Sequence, residues 1–245
     1  MSSAAMCDNR AEPVTRGLCR IGSAVAFFLI VYCFATMVQL TILGGQPSSA
    51  AAAFALLQSN RLVGLLRLDV LTVFVLPLYY LLFLALAMAT WRVDGVKAIL
   101  SALFVFTGVT LVLATPMGLS MVPLSAKYAA ASTDAARSQF LAAGEAILAS
   151  DIWHGTGACV GGILTQVGAA LICIPMLKSV AFGKLPGWLG LLTHGLDLAH
   201  IVLGLFMPAV GTILMVVAGP MYPVWFFLIG RGLWKVSRSD FPAAR

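Results

Sequence analysis

The segment PGWLGLLTHGLDLAHIVLGLF, residues 186–206, decides the fold class, because it is long and apolar enough to cross a bilayer yet carries three polar side chains. A membrane-spanning helix needs about 20 predominantly apolar residues. His194, Asp197 and His200 recur every third residue, so on a helix each is rotated by about 60° from the last and all three share one broad face. An acidic residue near the centre of a span costs about 2.5–3.5 kcal/mol on insertion scales. This segment is therefore the first place to look for a functional site.

The composition of the whole chain predicts an integral membrane protein. Of its 245 residues, 61% are hydrophobic and 10% are charged, whereas soluble domains are about 45–50% apolar and about 25% charged. The length favours one helical bundle over two domains. The net charge of +6 comes from basic residues scattered between apolar runs, so no nucleic-acid-binding patch is predicted. The five cysteines include no CxxC pair, and no disulfide framework is expected.

Apolar runs separated by charged residues, glycine and proline predict an all-α, polytopic bundle of six transmembrane helices. The predicted spans are residues 21–43, 69–91, 96–115, 152–177, 186–206 and 210–234. Proline interrupts helices, so Pro116 ends the third span, and Gly219, Pro220 and Pro223 break the sixth. A short alanine-rich helix over residues 49–60 is expected to lie at the membrane interface.

A further helix is predicted between the third and fourth spans, over residues 133–150. Ser132 or Thr133 can cap its start. Phe140, Ala143 and Ile147 follow at spacings of three and four, so the helix is amphipathic. With six spans it lies on the side of the membrane opposite the chain termini.

The distribution of basic residues predicts which side that is. Of the 15 Lys and Arg residues, 11 fall in the terminal tails and in the loops on the same side as the tails. The positive-inside rule assigns that side to the cytoplasm. We therefore expect cytoplasmic tails at residues 1–20 and 237–245, a single transmembrane domain at 21–236, and an external amphipathic helix.

The second half of the chain contains four distinctive segments: YAAA at residues 128–131, LAAGEA at 141–146, the pair Gly155-Thr156, and PVWFFLIGRGLW at 223–234. With these segments it resembles a bacterial membrane family known as domain-of-unknown-function family number 4386, although Gly232 replaces the second residue of the family's basic pair. The resemblance covers roughly residues 115–236. It implies a multi-pass protein of the bacterial cytoplasmic (inner) membrane. It transfers no activity and no catalytic residue, because the family has none assigned and its pattern does not require His194, Asp197 or His200.

Counting residues along the spans selects the candidate site residues. Asp197 comes near the middle of its span, with His194 on its cytoplasmic side and His200 on its outer side. At the outer mouth of the fourth span, Asp151 and His154 share a face, and His154 approaches His200 if the fourth and fifth helices pack together. The candidate ligand-binding set is Asp197, His194, His200, His154, Gln166 and Tyr222.

Three functional hypotheses follow from these residues. The preferred one is a protein without catalytic activity or cofactor, whose polar interior is either a structural network or, as we favour, a pocket within the membrane that binds a lipid or small molecule. The first alternative is a transporter that couples to protons or ions through Asp197 and is gated by the break near Gly219. The second is a membrane-embedded metal or haem enzyme using His154, His194, Asp197 and His200. His194 and His200 diverge by about 120° on a helix, which disfavours a shared metal. No hydrolase, Walker or dinucleotide motif favours another enzyme class.

Overall fold

The computed structural model describes residues 3–115 and 118–238, and within these ranges the chain is helical with no strand. The prediction of an all-α protein is therefore confirmed. The helices are α1 Ser3–Leu43, α2 Ala50–Ser59, α3 Arg61–Arg67, α4 Val70–Val75, α5 Leu78–Leu113, α6 Met121–Ala130, α7 Asp134–Ala149, α8 Thr156–Lys178, α9 Lys184–Gly204, α10 Pro208–Ala218 and α11 Met221–Arg238. A 3₁₀ turn at Gly118–Ser120 precedes α6. The predicted end of the third span at Pro116 lies outside the described residues.

Several of the described helices are compatible with a membrane, as the composition predicts. Four helical stretches are long and apolar enough to cross one: Pro13–Leu43, Leu78–Ala130, Thr156–Lys178 and Pro208–Arg238. The helix α9 is not among them, because His194, Asp197 and His200 lower its mean hydropathy.

The predicted second and third spans lie largely within one helix, α5. Residues 92–95, which are predicted to form a loop between the two spans, are part of that helix. Asp94 interrupts α5 with an extended backbone (φ −159°, ψ 87°). Its Oδ1 accepts a hydrogen bond from the Lys97 backbone N–H at 3.1 Å, and its carboxylate also pairs with the Lys97 ammonium. This is the geometry of a helix N-cap. Physically, α5 is therefore two helical segments, residues 78–93 and 95–113, that meet at a capped kink.

The sixth predicted span is broken at Gly219 and Pro220, whereas Pro223 lies in the first turn of α11 and does not interrupt it. The helix α10 ends at Ala218 with Gly219 as its C-cap, and α11 begins at Met221. Proline at position 220 cannot donate a backbone hydrogen bond, so it cannot continue α10.

The chain packs as two compact units. The first unit comprises Met1–Cys33, Leu78–Gly108 and Ile163–Arg245, and the second comprises Phe34–Pro77 and Val109–Gly162. The core of the first unit contains the fully buried side chains of Phe83, Trp225 and Phe226. The rings of Phe83 and Trp225 lie 6.5 Å apart, and those of Trp225 and Phe226 lie 5.5 Å apart.

The core of the second unit forms where α2, α6 and α7 meet. Phe54 of α2 and Met121 of α6 are fully buried, and Phe140 and Ile147 of α7 pack against this core. The predicted cap of α7 is confirmed, because Thr133 Oγ1 accepts from the Ala136 N–H at 3.2 Å.

The apolar stripe of α7 differs from the prediction by one position. Ala143 is exposed, and Gly144 is buried instead. A Cβ atom at Gly144 would lie 2.7 Å from Ala50 Cβ and 2.9 Å from Phe54 Cζ. Only glycine therefore lets α7 approach α2 this closely.

We expect Gly144→Ala to destabilise the second unit by about 1–3 kcal/mol, because the added methyl overpacks the contact with α2. Gly17→Ala is the matched control, since a Cβ at Gly17 meets nothing within 4 Å. That variant should be neutral or slightly stabilising, because alanine favours helix. Thermal unfolding of both variants in the same detergent measures the difference, and equal stability of the two would contradict the packing described here.

Candidate functional site

Four polar side chains of the first unit meet in one hydrogen-bonded cluster. Gln166 comes from α8, His194 and Asp197 from α9, and Tyr222 from α11. Asp197 Oδ2 accepts from Gln166 Nε2 at 2.5 Å and from the Tyr222 hydroxyl at 2.7 Å. His194 Nδ1 lies 2.7 Å from Gln166 Oε1. Four of the six residues selected from the sequence are thus brought together, and we call them the polar cluster.

Local sequence explains why these side chains converge. His194 and Asp197 are three residues apart on α9 and therefore share a face. Tyr222 stands in the first turn of α11, directly after the break at Gly219 and Pro220. Close packing of α9 brings its polar face to the other two helices: a Cβ at Gly190 would collide with Cys173 of α8 and Trp225 of α11.

Hydrogen-bonding chemistry fixes the direction of each bond in the polar cluster. The Gln166 amide nitrogen faces Asp197 and its oxygen, which only accepts, faces His194. His194 must then donate from Nδ1, which leaves Nε2 as a bare acceptor in the neutral ring. The Tyr222 hydroxyl donates chiefly to Asp197, because its distance to Gln166 Oε1 is longer, at 3.2 Å.

The imidazole of His194 is enclosed but incompletely bonded. The residue is 2% exposed. Its ring meets Trp225 edge-on with centroids 4.5 Å apart and Tyr222 with centroids 5.5 Å apart. Its Nε2 atom is buried and has no hydrogen-bond partner among the described residues. A buried polar atom left unpaired costs about 1–3 kcal/mol, so this nitrogen is the chemically open position of the polar cluster.

His200 takes part in packing between α9 and α10. Its Nδ1 lies 2.9 Å from the Gly211 carbonyl oxygen. At the same place the two helices come very close, since a Cβ at Gly211 would lie 2.7 Å from Gly204 Cα. The hydrogen bond of His200 thus goes to a backbone carbonyl, and no hydrogen bond joins it to the polar cluster.

His154 belongs to the second unit, where it pairs with Asp151. Both residues lie in the turn before α8, because that helix begins at Thr156 and not at the predicted position 152. Its Nδ1 lies 2.9 Å from Asp151 Oδ1. Asp151 is buried, and it also accepts from the backbone N–H groups of Trp153 and His154 and from the side chain of Gln46. The hydrogen bonds of Asp151 therefore connect the turn after α1 with the turn before α8.

Sequence reasoning missed Trp225 and Gln46. Trp225 is three residues after Tyr222, so helical spacing alone places it on the same face of α11 as the cluster tyrosine. It encloses the His194 ring, and its Nε1 donates to the Pro186 carbonyl at 3.2 Å. No sequence signal pointed to Gln46 as a partner of Asp151.

The structure gives the metal-enzyme hypothesis no support. In the part of the chain that the structure describes, no group of three or more His, Cys, Asp or Glu side chains is placed to hold a metal ion. Two of the four proposed ligands, His194 and Asp197, lie in the polar cluster, and the other two are bonded elsewhere.

Comparison with known proteins adds no function. No family model, no curated protein and no solved structure matches this chain. The resemblance to domain-of-unknown-function family 4386 stays a prediction, and any function has to be argued from the geometry of the chain itself.

We expect His194 to be held as the Nδ1–H tautomer, because Gln166 presents only its oxygen to the ring. Long-range ¹H–¹⁵N NMR can measure this, since the chain has only three histidines and His154→Asn and His200→Asn variants identify the remaining signal. The Gln166→Leu variant should lose the preference of His194 for the Nδ1–H tautomer, whereas the Tyr222→Phe variant should keep it. A wild-type His194 signal with the proton on Nε2 would contradict the bond directions given above.

Proposed function

We propose that the chain is a six-span protein of the bacterial cytoplasmic membrane, with both termini in the cytoplasm and α7 outside. The capped kink at Asp94 supports counting α5 as two spans. The 21 residues of α9 reach about 31 Å at about 1.5 Å per residue, the thickness of a bilayer core. The excess of basic residues on one side supports the orientation.

We further propose that the protein is not an enzyme and that its polar cluster binds a small molecule or a lipid headgroup. The observation that carries this proposal is the buried, unpaired Nε2 of His194, whose ring is joined through the Gln166 amide to the Asp197 carboxylate. A cluster that served packing alone would be expected to satisfy all its buried atoms, because each unpaired one is costly. A ligand that donates a hydrogen bond to His194 Nε2 would remove this cost.

The same bond directions define the chemistry of the ligand. Asp197 accepts hydrogen bonds, and His194 Nε2 in the neutral ring accepts as well. The ligand that complements them is a hydrogen-bond donor, such as a hydroxyl or an ammonium group. An anionic group would face the carboxylate and is disfavoured.

Transport coupled to Asp197 is the second candidate function, and the helix break favours it. Tyr222 lies in the first turn after Gly219 and Pro220, and its hydroxyl bonds to Asp197 at 2.7 Å. A change of angle at this break would move the Tyr222 hydroxyl relative to the carboxylate. Interrupted helices beside an intramembrane acid are a recurrent feature of transporters.

We expect wild-type protein, purified in mild detergent, to retain a small molecule or lipid that Asp197→Asn loses, because the amide removes the charge and one acceptor. Untargeted mass spectrometry of the extracted ligand fraction measures this. Asp134→Asn is the matched control, since the Asp134 side chain is fully exposed on α7. Equal extracts from wild type and Asp197→Asn would argue against a binding site at the polar cluster.

Reconstituted vesicles separate binding from transport. Under an imposed membrane potential, a transporter coupled to protons should acidify vesicles containing wild type faster than empty vesicles, and Asp197→Asn should abolish the difference. Ligand retention without proton flux would support the binding function alone.

A further inference from the structure

The second unit contains a cleft that none of the four residues of the polar cluster lines. It has a volume of about 500 Å³. One wall of the cleft is the turn at residues 46–48, and the other is the face of α2 that carries Ala52, Ala55 and Ser59. Arg67 is the single charged residue that lines the cleft. Alanine and serine are small, so their side chains leave this space open.

Arg67 is held in place without being neutralised. Its Nε donates to the Gly45 carbonyl oxygen at 2.7 Å, which positions the guanidinium group against the turn. Among the described residues, no Asp or Glu forms an ion pair with it. Arginine stays charged at all relevant pH values and offers its terminal N–H groups in a planar fork that suits phosphate.

In the topology proposed above, the cleft lies at a membrane surface. The candidate span Pro13–Leu43 ends immediately before the turn. The residues after a span lie at the level of lipid headgroups. On the last turn of α1, Leu40 is 61% exposed and Ile42 is 73% exposed, and these apolar side chains offer a surface for acyl chains.

We propose that this cleft binds the headgroup of an anionic phospholipid, with the phosphate on Arg67 and the glycerol region beside Ser48 and Ser59. Charge complementarity selects the anionic class, because a zwitterionic headgroup also brings an ammonium group towards the guanidinium. The site is independent of the polar cluster, so the proposed ligand there and this lipid can be tested separately.

The test uses full-length protein in detergent micelles containing equal amounts of phosphatidylglycerol and phosphatidylcholine, with native mass spectrometry to count retained lipids. Wild type should retain one phosphatidylglycerol in preference to phosphatidylcholine. Arg67→Gln should weaken its binding about tenfold, since a charge-assisted hydrogen bond contributes enough for that factor. Arg61→Gln is the matched control, because Arg61 is exposed and lines a different, smaller cleft of about 170 Å³.

A second variant keeps the test decisive if Arg67→Gln disturbs the turn. Ala55→Leu fills the cleft and leaves Arg67 and its bond to Gly45 in place, so it should also lose phosphatidylglycerol while its thermal stability in lipid-free detergent stays that of wild type. Unchanged retention by Ala55→Leu or by a folded Arg67→Gln would overturn the proposal. Equal retention of phosphatidylcholine by wild type would do so too, as would an equal loss in Arg61→Gln, which would indicate diffuse attraction to charge.

Discussion

The hydrogen bonds that Asp197 accepts from Gln166 and Tyr222 constrain the candidate site more than any other interaction. A carboxylate within an apolar bundle needs donors from its neighbours, and here they come from α8 and α11 while Asp197 itself belongs to α9. Three helices must therefore keep a fixed register. The close approach at Gly190 permits that register, because any larger residue would push α9 away from both partners.

The same hydrogen bonds determine which ring nitrogen of His194 carries the proton. Since Gln166 gives its amide nitrogen to Asp197, it has only an acceptor left for the imidazole, and the imidazole must donate from Nδ1. The consequence is an open acceptor at Nε2, enclosed by Trp225 and Tyr222. The open acceptor of the proposed ligand site therefore follows from the hydrogen bond between Gln166 and Asp197, which sets the direction of the bond to His194.

Much of this site could be predicted from periodicity and depth. The bounds of α9 lie within two residues of the predicted span, and depth counting selected Gln166, His194, Asp197 and Tyr222. Depth fixes a residue along the membrane normal but says nothing about which way a helix is rotated or which helix is its neighbour. For that reason the bond from His200 to a backbone carbonyl could not be foreseen.

The structure also differs from the prediction at Asp94 and on α7, and each difference has a physical cause at that position. The predicted spans leave Asp94 in a loop, but Asp94 caps the helical segment that contains Lys97, and the chain stays helical on both sides of it. On α7, hydrophobic spacing places Ala143 in the buried stripe, but close contact with Phe54 requires the neighbouring Gly144. Hydrophobicity scales do not register this requirement, because it depends on the distance between two helices.

The central claim is that the polar cluster is completed by a ligand, and a high-resolution cryo-electron microscopy map of the protein in lipid nanodiscs tests it most directly. The account predicts non-protein density within about 3 Å of His194 Nε2, in hydrogen-bonding distance. Apolar side chains packed directly against that nitrogen, with no such density, would contradict the claim and leave the cluster a structural role only.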